Sequence, residues 1–94
     1  MTLTKEQRIE VLEEVYKMIE TGEETWICAG VDITLRKRYD IEFATFSDTF
    51  KYFPELLQFK PAGKCKGDAW FRYGMRKPRL EILRKTINII KEQK

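Results

Sequence analysis

The opening twenty-two residues constrain this chain more than any other stretch, because they spell one amphipathic helix with a start signal and a stop signal. Thr4 followed by Gln7 is a capping box, in which hydroxyl and amide oxygens take up orphan N–H groups at a helix start. Ile9, Leu12, Val15, Tyr16 and Ile19 then recur on one side of a 3.6-residue turn, with Val11 and Met18 on its flank. Glu10, Glu13, Glu14, Lys17 and Glu20 fall on the other side, and Gly22 is the expected stop. A helix over 5–21 follows. Its apolar arc spans about half the circumference, wide enough to touch two neighbours. The far end of the chain repeats the pattern. Pro78 suits a first helical residue, and Leu80, Leu83, Ile87 and Ile90 are spaced 3, 4 and 3, with Ile82 and Ile89 alongside. That predicts a helix over 78–92.

Between these helices the pattern is mixed. Ile27, Ala29, Val31, Ile33 and Leu35 alternate as a strand would, yet Ile27, Cys28, Val31, Leu35 and Tyr39 also trace a helical stripe. Gly30 weakens a strand, and only Tyr39-Ile41-Phe43 alternates well enough to partner one. The balance favours a helix from about Thr25 to Arg38, with a hairpin over 27–43 as the alternative. Phe43, Phe46, Phe50 and Phe53 are spaced 3, 4 and 3, which reads as one stripe of a third helix. Pro54 then opens a short helix over Glu55–Phe59, and Lys60 to Arg76 reads as a loop broken by Pro61, Gly63, Gly67 and Gly74. The expected fold is all-α, one compact domain over 1–94 with about four helical segments; the alternative is α+β with the hairpin at 27–43.

Composition removes several function classes. With 43% apolar and 13% aromatic residues the chain is globular rather than disordered. No apolar run reaches the length of a membrane span, and the charged opening residues do not read as a signal peptide, so the expected address is the cytoplasm, with no membrane partner. Histidine is absent and Ser47 is the only serine, which removes most nucleophile–base arrangements. Two cysteines, Cys28 and Cys65, are too few for a structural zinc site. Spacing alone leaves a disulfide open; a cytosolic address favours free thiols. Cys28 in Trp26-Ile27-Cys28-Ala29 reads as a small buried hydrophobe, and Cys65 as a loop residue between two lysines. The carboxylates of the first helix read as its solvated face rather than as an acid–base pair. No catalytic residue, metal or cofactor is implied.

Charge is unevenly spread. Residues 1–24 carry three basic and seven acidic side chains, 25–59 carry four and five, and 60–94 carry eleven and three. Such polarity suits an anionic partner at one end or contact between acidic and basic ends of neighbouring copies, so a homo-oligomer is expected. Gly63-Lys64-Cys65-Lys66-Gly67 lacks the spacing and the Ser/Thr of a true phosphate loop, but two glycines let backbone N–H groups converge on an anion. Lys64, Lys66, Arg72, Arg76, Lys77 and Arg79 supply charge, while Trp70, Phe71 and Tyr73 supply flat faces that stack on a base. The candidate ligand-binding residues are Lys64, Lys66, Trp70, Arg72, Tyr73, Arg76 and Arg79. The alternative places Trp70 and Phe71 against the core with the cations in water.

Several short motifs resemble a family of small proteins encoded by bacteriophages and prophages of gut bacteria. They are Arg8-Ile9-Glu10-Val11-Leu12, Trp26-Ile27-Cys28, Phe53-Pro54-Glu55-Leu56 with Lys60-Pro61, Ala69-Trp70-Phe71 and Pro78-Arg79-Leu80-Glu81-Ile82-Leu83. The resemblance implies a helical accessory protein of the host cytoplasm without enzyme activity, of the kind that counters host defence by blocking an immune protein or sequestering its nucleotide messenger. The Tyr39–Phe53 stretch and the 60–67 loop depart from the family pattern. The leading expectation is therefore a non-enzymatic protein that binds an anionic, nucleotide-like small molecule through 64–79. Two alternatives stand beside it: an inhibitor of a host protein acting through 64–79 or the acidic face of the first helix, and a sequence-tolerant nucleic-acid binder.

Overall fold

The computed structural model describes residues 2–45, 48–59 and 76–93, and of residues 76–78 the backbone alone. The chain is all-α: α1 (Lys5–Thr21), α2 (Ile27–Tyr39), α3 (Thr49–Tyr52), a 310 helix (Pro54–Phe59) and α4 (Arg76–Glu92). No strand occurs among the described residues.

The signals of the first helix act as written. Thr4 Oγ1 accepts from the Gln7 N–H at 3.1 Å, and Gln7 Oε1 accepts from the Thr4 N–H at 2.8 Å. Gly22 ends the helix in the left-handed region, at φ 83°, where a residue without Cβ is unstrained. The wide apolar arc of α1 meets two partners, α2 on one side and α4 on the other. Val11, Leu12, Val15 and Ile19 are buried between them.

The ambiguous second segment is a helix, and the alternative hairpin over 27–43 does not form. Ile27, Cys28, Val31 and Leu35 are buried at helical spacing, while Ile33, which an alternating strand would bury, is 43% exposed. Asp40 stops α2 with a positive φ of 55°, and the Ile41 N–H donates to the Leu35 carbonyl at 3.3 Å. Cys28 is buried, as its apolar surroundings in the sequence suggested.

Several boundaries depart from the sequence reading. α2 opens at Ile27 rather than about Thr25 and ends at Tyr39 rather than Arg38, and two other segments shift as well. The phenylalanine stripe does not lie on one helix. Phe43 precedes any helical turn, α3 covers only Thr49–Tyr52, and Phe46 lies outside the described residues. The Asp48 carboxylate accepts from the Ala44 N–H at 2.8 Å, and the helical turn begins only at Thr49, after Asp48. Phe53 is fully buried as the residue that ends α3, and Phe43 stacks on Tyr52 with centroids 6.0 Å apart. The last helix begins at Arg76 rather than Pro78. The first N–H groups of a helix have no partner within it, so proline costs no hydrogen bond at the third position either.

α4 runs antiparallel to α1. Gln93, just past its end, lies by Lys5 and Arg8, and its carbonyl accepts from the Lys5 ammonium. Leu83, Ile87 and Ile90 are buried against α1 and the 310 helix. No helix among the described residues is long and apolar enough to cross a membrane.

Candidate functional site

The basic, aromatic segment expected to bind a ligand lies largely outside the described residues. Lys64, Lys66, Trp70, Arg72 and Tyr73 belong to that part. Arg76 is placed by its backbone as the first residue of α4, and Arg79 one turn later is fully described.

Arg79 is only 7% exposed, and its guanidinium carbon lies 4.8 Å from the centroid of the Trp26 ring. A cation so placed is held by the negative face of the indole, worth about 0.5–2 kcal/mol according to its exposure. Trp26 is the N-cap of α2, with extended backbone and no side-chain capping bond. The contact therefore brings the first turn of α4 to the start of α2. The first turn of α4 holds Arg76, Lys77 and Arg79 and no acidic residue. Cations there oppose the positive end of the helix dipole. Arg76 and Arg79 both belong to the first turn of α4. Trp26 is the aromatic partner that the sequence reading missed. Its only signal was a large aromatic at the N-terminal edge of the second apolar stripe.

Three further clusters, besides the Asp32–Arg36 pair within α2, hold charged side chains in hydrogen-bonded geometry. In the first, Arg8 donates from Nε to the Tyr52 carbonyl at 3.0 Å, from Nη1 to Gln93 Oε1 at 3.3 Å and from Nη2 to Glu55. Gln93 Nε2 donates to the other Glu55 oxygen at 2.6 Å. The Arg8 and Glu55 side chains are 15% and 9% exposed. Burial works against the charge on Glu55, but the bonds from Arg8 and Gln93 overcome it and hold the carboxyl below its ordinary value. A cleft of about 420 Å³ opens beside this cluster, lined by Thr2, Leu3, Lys51, Tyr52 and Pro54 as well.

In the second cluster, Arg38 reaches from the end of α2 to α1, with Nε 2.7 Å from Glu14 Oε2 and Nη1 3.2 Å from Glu10 Oε2. The Glu14 bond raises the Arg38 pKa above its ordinary value. The carboxylates read as a solvated face do face solvent, but two of them grip one arginine. In the third, the Ala44 N–H holds Asp48 in its charged form, with help from Lys51 3.3 Å away. Each of these shifts favours the charged form, whereas acid–base chemistry near neutrality needs a group poised between its two forms.

Arg8 and Glu55 stand far apart in the chain, so no local pattern pairs them. One trace existed: Arg8 interrupts the apolar arc of α1, and Glu55 sits between Pro54 and the buried Leu56. Among the described residues no group of three Cys, Asp or Glu side chains could hold a metal ion. A scan against protein-family models and searches of curated proteins and of solved structures find no match to this chain.

Proposed function

We propose that this protein is a non-enzymatic binding protein whose ligand is a nucleotide-like anion held at the 64–79 segment and the first turn of α4. The observation that carries the reading is the basic first turn of α4, seated through Arg79 on Trp26. Arg76, Lys77 and Arg79 gather at a helix start that carries no acidic residue in its first turn. Arg79 is buried over Trp26 rather than spread into solvent. A phosphate there is attracted by the cations and by the positive end of the helix. Lys64, Lys66 and Arg72 add charge, and Trp70 or Tyr73 offers a stacking face. On this reading the protein acts in the cytoplasm of a host cell as a phage-type accessory factor, sequesters an immune messenger and works as a homo-oligomer.

The test is a native mass spectrum of protein purified from a host cell, followed by titration with mono-, di- and cyclic nucleotides and a short single strand at two salt concentrations. A nucleotide site loses a sharp share of its affinity with Trp70→Ala or Arg76→Ala, since one stacking contact contributes about 1–3 kcal/mol. A general nucleic-acid binder shows instead roughly equal losses for each cation and a steep salt dependence. If nothing in the panel binds below millimolar, the nucleotide reading fails and inhibition of a host protein by direct contact replaces it.

A further inference from the structure

The register of α1 against α4 exposes a charge pattern that neither helix shows alone. Lys5 lies by Gln93, and Glu13 and Tyr16 share a groove with Arg84, Ile87, Asn88 and Lys91. Each step forward along α1 is therefore a step back along α4. Glu6, Glu10, Glu13 and Lys17 form an exposed stripe at spacings of 4, 3 and 4. Level with them on α4 stand Lys91, Asn88, Arg84 and Glu81, at 3, 4 and 3. Acid meets base at Glu6–Lys91 and Glu13–Arg84, and the sign inverts on both helices together at Lys17–Glu81. The one neutral position, Asn88, is level with Glu10, the carboxylate that Arg38 already holds.

Within one subunit these charges do not close on each other. Among the described residues no ion pair engages Glu6, Glu13, Lys17, Arg84 or Lys91, and a groove of about 310 Å³ separates the two walls over a floor of Tyr16 and Ile87. Such a groove, acidic on one wall and basic on the other, is complementary to itself under one symmetry operation. A two-fold axis along the groove keeps every residue at its own height. It lays each α1 antiparallel on the partner's α4, in the register the subunit already has. A two-fold across the helices would set acidic stripe on acidic stripe instead. We infer that a second copy of this chain docks on the α1/α4 groove about a two-fold axis along it. Glu6 and Glu13 then face the partner's Lys91 and the partner's Arg84, and the reciprocal pairs form on the other side. The interface is polar and salt-sensitive, with Tyr16 and Ile87 as its apolar strip. This inference rests on the self-association in the reading above and not on its ligand. A nucleotide-loaded monomer would sink the dimer alone, and a ligand-free dimer would sink the ligand alone.

The experiment uses the full chain and two charge-reversed variants, measured by sedimentation velocity at about 50 mM and about 500 mM salt. The first variant, Glu6→Lys with Glu13→Lys, makes the α1 wall basic like the α4 wall. The second, Arg84→Glu with Lys91→Glu, makes the α4 wall acidic. The wild type is expected to sediment as twice 11.3 kDa at low salt and to dissociate at high salt, where screening shortens to about 5 Å. Each variant alone is expected to be a monomer, and an equimolar mixture of the two is expected to regain the doubled mass. A wild type that stays monomeric at low salt overturns the inference. So does a variant that dimerises alone, or a mixture that does not. Circular dichroism checks that both variants fold. Should either lose its helical spectrum, Glu13→Gln takes its place. It removes two symmetric pairs and is expected to weaken the dimer about fivefold, and an unchanged dissociation constant overturns the docking.

Discussion

A methyl group placed on Gly30 would sit 2.9 Å from Cγ1 of Val15, closer than real carbon atoms pack. The glycine lets α2 lie directly against α1 at that point. Both residues are buried, and the branched valine is stiff at χ1. Gly30→Ala improves helix propensity by about 1 kcal/mol but overpacks this crossing at a cost of roughly 1–3 kcal/mol. The expected result is a net loss of stability in urea unfolding, recovered in part when Val15→Ala is added. An alanine variant as stable as the wild type would show that the helices separate freely.

The capping box at Thr4 is expected to contribute measurably. Thr4→Ala leaves the Gln7 N–H without its hydroxyl partner and should cost about 1 kcal/mol of stability. Thr4→Asp, which restores an acceptor, should recover most of it. Thermal unfolding of the three proteins decides the point.

Removing one member of the Arg8–Glu55 pair should be far more damaging than removing an exposed pair. Arg8→Met leaves a carboxylate that is mostly buried, at a cost of about 3–5 kcal/mol. The pair also sets a pH dependence. Because the folded-state value of Glu55 lies below its ordinary 4.5, its contribution is present above that value and is lost as pH falls through the folded one. Glu55→Gln should flatten the stability profile below about pH 4.5 and leave its shape at pH 7 unchanged. Urea midpoints across pH 3 to 7 test this.

Thr49 offers the opposite sign. Its hydroxyl is buried with no hydrogen-bond partner among the described residues, unlike those of Thr34 and Thr86, which donate to the Gly30 and Ile82 carbonyls at 2.8 Å. Thr49→Val removes an unsatisfied group of nearly the same volume and is expected to stabilise the protein by about 1 kcal/mol. Thr34→Val and Thr86→Val should not. A destabilised Thr49→Val would mean that an ordered water satisfies the hydroxyl.

Much of the helical framework was legible from local pattern. The Thr4–Gln7 box, Gly22, the stripe through Leu83, Ile87 and Ile90, and the turn opened by Pro54 all rest on neighbours within one or two helical turns, so local spacing contains them. The middle was less legible because its signals compete. Ile33 and Leu35 fit a strand as well as a helix, and burial against α1 chose the helix. The phenylalanine spacing from 43 to 53 looked helical, yet α3 takes up only Thr49–Tyr52, between Phe43 and the buried Phe53.

The candidate site divides the same way. Sequence alone determined that cations and aromatics gather between 64 and 79 and that the two ends of the chain carry opposite charge, because composition is a property of the chain itself. It also determined the faces of α1 and α4, through a periodicity that any helix obeys. Tertiary structure decided what those faces meet: Arg79 on Trp26, Arg8 between Glu55 and Gln93, Arg38 on Glu10 and Glu14, and the level register of Glu13 with Arg84. Each of these joins residues far apart in the chain. Their closeness follows from how buried surfaces pack in three dimensions, and no periodicity along the chain encodes it.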